Sequence, residues 1–165
     1  MANPMYGQNK ADNALDKVGS EVIVAVAAKT LAASDSGSTV FVNAAAIAVT
    51  LPSCAAGLKY KFVFGIDTTD GAKVSAASGD CFFGTLTVNS ATKTKSSAQS
   101  ISHATAIAAP GSYDVCDFIH DSQTLAGKAG DMVEVIGIDD VAWLVSGSLM
   151  TDGNDPDAVA IINAS

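Results

Sequence analysis

Cys116 and His120 stand four residues apart and Asp121 follows them, three side-chain types that together serve nucleophilic catalysis. A thiolate needs its base within hydrogen-bond reach. The surrounding "YDVCDFIH" alternates Tyr113, Val115, Asp117 and Ile119 against Asp114, Cys116, Phe118 and His120, which is the period of a strand. On a strand, positions i and i+4 share a face but lie about 13 Å apart. The pair fails on geometry, and the chain is expected not to be an enzyme.

Metal chemistry has little more to draw on. His103 and His120 are the two histidines, and neither has a second strong ligand at a recognised spacing. The run "DGNDPD", Asp152 to Asp157, gathers oxygen ligands but lacks the order and the distal glutamate of a calcium loop. It reads as a solvated acidic turn. Gly65, Gly71, Gly79 and Gly84 never form a Gly-rich loop opening a helix, so no nucleotide site is expected. Asp139 and Asp140 are adjacent on an expected hairpin tip and point apart or into solvent. Cys54, Cys81 and Cys116 are odd in number and contain no C-x-x-C pair, so they read as reduced thiols behaving as small hydrophobes. No cofactor and no metal is expected.

The chain that must position any site has 165 residues, enough for one domain with a full core. Hydrophobic residues make up 48% and charged residues 16%. Much of the apolar share is alanine. So little charge points to a partner surface, because large apolar patches are rarely left bare. The net charge of -8 argues against nucleic-acid binding, where a basic face supplies most of the affinity. Lys93 and Lys95 in "TKTKSS" read as a solvated loop. The first twenty residues lack the apolar core of a signal peptide, and no apolar run has the roughly 18 residues of a membrane span. The expectation is a soluble protein made in a cytoplasm, with no membrane partner.

Residues 1–20 are polar, with Pro4, Met5 and Tyr6 as an isolated apolar knot and a short helical spacing at Ala11, Ala14, Leu15 and Val18. They read as an N-terminal arm that orders on a partner. From Glu21 the period becomes two. Val22, Val24 and Val26 share a face; so do Val40 and Val42; so do Ile47, Val49 and Leu51. "LKYKFVFG" alternates Leu58, Tyr60, Phe62 and Phe64 against Lys59 and Lys61. Pro52 ends its strand. "AKVSAASGD" and "CFFGTLTV" read as strand, tight turn at Gly79-Asp80, strand. Residues 89–102 read as a long loop and "ISHATAIAA" as a weak strand. Met132 to Ile138 and Val141 to Ser146 flank Asp139-Asp140 as a hairpin. Trp143 is expected to anchor the core, and "AVAIINAS" to close the chain as a strand or docking tail. Eight to ten short strands without a strong helix predict an all-β antiparallel sandwich or barrel, jelly-roll-like, over residues 21–165 with the arm in front. No internal repeat suggests a solenoid.

Several of these motifs recur together in a known setting. Ser36-Gly37-Ser38-Thr39, the strand ending in Leu51-Pro52, the aromatic strand from Gly57 to Phe64, Gly79-Asp80, and the late pair from Gly130 to Val145 resemble a module of small tailed-phage virion proteins. The opening "MANPMYGQNKADN" is similar to the start of small phage structural proteins that accompany the major capsid protein. The resemblance implies a capsid decoration, or cement, protein on the outer capsid surface of the virion. It implies binding to the major capsid protein and to itself, commonly as a homotrimer at local threefold positions. Asn3, Pro4, Met5, Tyr6 and Gly7 would then be the partner-binding anchor, with exposed strand edges pairing subunits. The competing reading is a receptor- or glycan-binding module of a head or tail fibre, for which exposed aromatics are the signature.

Overall fold

The computed structural model describes residues 21–67, 73–90, 96–101, 115–117, 128–151 and 162–163. Twelve strands are formed among them: β1 Val22–Ala25, β2 Lys29–Thr30, β3 Thr39–Val42, β4 Ala48–Thr50, β5 Lys59–Phe64, β6 Lys73–Ser75, β7 Cys81–Ser90, β8 Ser96–Ile101, β9 Val115–Asp117, β10 Met132–Gly137, β11 Ala142–Thr151 and β12 Ile162–Asn163. A single 3-10 turn, Ala33–Asp35, is the one helical element among the described residues. The described residues are almost entirely strand and turn, broadly all-β, as the alternation predicts.

The strands form a seven-stranded sheet, in the order β1-β3-β5-β10-β11-β7-β8, and a five-stranded sheet, in the order β12-β9-β6-β4-β2. Both are mixed, which corrects the antiparallel expectation. The first six strands alternate between the sheets. β1, β3 and β5 are parallel neighbours in one, and β2, β4 and β6 are parallel neighbours in the other. The physical reason is the connection. A tight hairpin returns the chain antiparallel, whereas a chain that crosses to the other sheet and comes back runs parallel to where it left. The turns of this winding are unequal: Val22 pairs with Thr39, and Thr39 with Lys61. No fixed period exists for a sequence repeat to reveal.

The second half closes the larger sheet. β10 lies antiparallel between β5 and β11, and β11 runs parallel to β7 over ten residues. The hairpin at Asp139-Asp140 is present, with Gly137 paired to Trp143. Asp139 Oδ1 accepts the N–H groups of Val141 and Ala142 at 2.9 and 2.7 Å, the local side-chain bonding that sets such turns. By contrast, Gly79-Asp80 does not join a hairpin, because β6 and β7 lie in different sheets. The long loop expected over 89–102 is also corrected. β7 runs on to Ser90, and β8 pairs antiparallel with it from Ser96 to Ile101. A sheet-edge strand is held by its backbone ladder on one side and needs no bulky side chains, so its hydrophobic signal is weak.

Four strands of the larger sheet are entered by one device. β3, β5, β7 and β10 each follow a turn whose third residue is a glycine with φ between 89 and 97°, namely Gly37, Gly57, Gly79 and Gly130. The next N–H returns to the carbonyl three residues back: Ser38 to Asp35, Leu58 to Ala55, Asp80 to Ala77 and Asp131 to Lys128. This is the type II turn, where positive φ at the third position favours glycine.

One core draws on both sheets. Val40, Val42, Tyr60, Phe62, Phe64, Leu86, Val135, Trp143 and Val145 from the larger sheet join Val49 and Val74 from the smaller one. Trp143 is fully buried, with its ring 6.0 Å from that of Tyr60, so it does anchor the core. Tyr60 keeps its hydroxyl satisfied by donating to the Ala32 carbonyl at 2.8 Å.

Candidate functional site

Asn3, Pro4, Met5, Tyr6 and Gly7 lie outside the described residues, as does the whole segment 1–20. So do Gly71, Lys93, Lys95, His103, His120, Asp121 and the run Asp152 to Asp157. Cys116 falls on β9, a strand as its alternation predicts. Among the described residues, no group of three or more His, Cys, Asp or Glu side chains is placed to hold a metal ion.

The polar groups that are brought together make a buried brace. The turn before β7 carries Asp80 inward, 5% exposed, and its Oδ2 accepts the Cys54 N–H at 2.7 Å. Burial pushes the Asp80 carboxyl up, and the Cys54 N–H and the Trp143 indole act against that rise. The indole nitrogen makes no hydrogen bond of ordinary geometry and only leans on this carboxylate. The Cys54 thiol donates to the Ala142 carbonyl at 3.3 Å. Burial, followed by the Asp80 and Asp139 charges, pushes it up to about 12. Burial and the same two carboxylates also raise Cys81. A thiol so held is a poor nucleophile at neutral pH. The brace ties the loop at Cys54 to β7 and β11, and its chemistry is structural.

The other assembly is a surface. Register across the larger sheet aligns Val24, Phe41, Val63 and Met132 on four successive strands. They share the face opposite the core: Val24 and Met132 are exposed, and Phe41 and Val63 are half-buried. Phe41 lies across Gly65, where any Cβ would collide with its ring. Charge on this face is sparse. Lys59 Nζ meets Glu134 Oε1 at 2.7 Å, and Lys61 stands next to them. A shallow groove of about 240 Å³ runs along Lys61, Met132, Glu134, Ser146 and Ser148. Beyond it the face becomes small and polar, with Ser146 and Ser148 of β11 beside Thr85 and Thr87 of β7, all exposed.

At the rim of this face sits β1. Val22 and Val24 do share a side, but that side meets solvent, while Ala25 is buried; Val26, also exposed, lies past the end of the strand. Alternation alone assigns two faces to a strand without saying which is inward. The row from Val24 to Met132 was not legible in the sequence because it joins residues far apart in the chain through strand register. No protein family, curated protein or solved structure matches the chain.

Proposed function

We propose that this chain is a capsid decoration protein of a tailed phage, working by contact area and not by a reactive group. The two sheets act as the layers of a sandwich, and the outer face of the larger one lies on the shell of major capsid protein. The arm 1–20, with Asn3 to Gly7 as its anchor, adds a second grip. The observation that carries this reading is the apolar row Val24, Phe41, Val63 and Met132 on a face with little charge. Contiguous exposed apolar surface is the ordinary mark of an interaction site. A protein that binds only the assembled shell stabilises it by mass action, and many weak copies add through multivalency. A glycan-binding role draws less support, because five of the seven aromatics among the described residues, Tyr60, Phe62, Phe64, Phe82 and Trp143, are fully buried.

The test is co-sedimentation with shells assembled from the major capsid protein. Met132→Lys is expected to weaken shell binding about tenfold, by placing a charge where apolar area should be buried. Deleting residues 2–18 is expected to abolish binding while the circular dichroism spectrum of the β domain persists. Undiminished occupancy by both variants would sink the proposal.

A further inference from the structure

The edge formed by β1 differs from the edges proteins ordinarily expose. Unpaired N–H and C=O groups invite another strand, and edges are commonly blunted with lysine, proline, bulges or a covering element. The run "VIVAVAA" from Val22 to Ala28 carries neither charge nor proline. The Thr39 N–H bonds to the Glu21 carbonyl at 2.8 Å and the Asn43 N–H to the Ala25 carbonyl at 2.9 Å. Main-chain groups alternate sides along a strand, so the odd-numbered residues face β3. Val22 and Val24 therefore aim their N–H and C=O groups outward. Their side chains, with that of Val26, are also the most exposed large apolar groups described, at 60, 54 and 64%. Among the described residues, no strand pairs with this side of β1.

We infer that β1 is the interface through which two copies of this chain associate, edge to edge about a two-fold axis at Val24, as one sheet continuous across both. The occupant is a second copy because the segment is its own complement. Antiparallel alignment on Val24 lets it exchange two main-chain hydrogen bonds with the partner's Val24 and sets Ile23 opposite the partner's Ala25, both within the strand. The strand Val22–Ala25 carries no charge in a chain of net charge -8, so the copies meet where their repulsion is least. Such a contact is isologous and closed. It stands whether or not the capsid reading does.

Sedimentation equilibrium of the full chain is the test. Val24→Pro removes an outward N–H and leaves the ladder to β3 intact, as proline permits on a free edge. It is expected to raise the dimer dissociation constant about 30-fold, from the loss of two edge hydrogen bonds. The double variant V22K/V26K charges the edge without altering the backbone and is expected to dissociate the dimer too, which covers the case that Val24→Pro does not fold. Met132→Lys lies away from the axis and is expected to leave the dimer whole while weakening shell binding, so the two readings fail separately. A wild-type monomer at about 0.1 mM, roughly the weak end of specific association, overturns the inference. So does the threefold assembly that the family resemblance implies, or a dimer indifferent to the edge variants.

Discussion

Asp131 shows how single residues are used here. It follows the glycine of a type II turn and is 8% exposed, and its Oδ2 accepts the N–H groups of Lys128 at 2.9 Å and of Met150 at 2.8 Å. One carboxylate oxygen thus ties the turn before β10 to β11. Burial raises this carboxyl, and the two N–H bonds hold it down only in part. A carboxyl raised by folding binds its proton more tightly in the native state. Its contribution to stability is then full below the unfolded value, near 3.9, and is lost as pH rises through the folded value. Asp80 is raised for the same first reason. Mild acidification from pH 7 is therefore expected to raise the melting temperature. Asp131→Asn, which keeps an oxygen for both donors, should melt no lower than wild type at pH 7 and respond less to acid. Asp131→Ala should cost roughly 2–3 kcal/mol in urea unfolding, because two donors lose their acceptor. Gly84 is a different kind of requirement. Its φ is 133°, and a Cβ there would fall on the Val145 carbonyl, so β7 and β11 approach closely only because the side chain is missing.

At the scale of elements, apolar content does not say which side chains a strand buries. β5 hides Tyr60, Phe62 and Phe64 and exposes Lys59 and Lys61, as its alternation predicts. β1 is mostly β-branched, with no charge or aromatic, yet buries Ala25 and exposes its valines. Phe62→Ala is expected to cost about 3–5 kcal/mol, a transfer term plus a cavity. Val22→Thr should stay within about 0.5 kcal/mol, since its side chain already meets water. Equilibrium urea denaturation of the two variants separates these cases, and a large loss from Val22→Thr would mean that the valine face is covered in the monomer.

For the whole molecule, the proposed contact surface is a region with few charges on an acid-rich chain. Proposed shell binding through the Val24–Met132 row is apolar, so its affinity is expected to change less than about threefold between about 0.05 and 0.5 M salt, a range in which surface ion pairs are strongly screened. A steep fall in co-sedimentation across that range would assign the contact to charge instead. Many copies on one shell should also raise the melting temperature of the shell itself, by mass action.

Alternation, turn residues and the lack of a strong helical segment determined the all-β class, the Asp139-Asp140 hairpin, the buried face of β5 and the central place of Trp143. These are local properties: a period of two and a glycine at positive φ are written in neighbouring residues. Only the tertiary structure decided that β1, β3 and β5 run parallel, that β6 and β7 belong to different sheets, and that Asp80 reaches the Cys54 N–H. It also decided which face of β1 meets water and that Val24, Phe41, Val63 and Met132 form one row. Those facts depend on register between segments distant in sequence, and register is set by how the whole core closes, which no single window of residues contains.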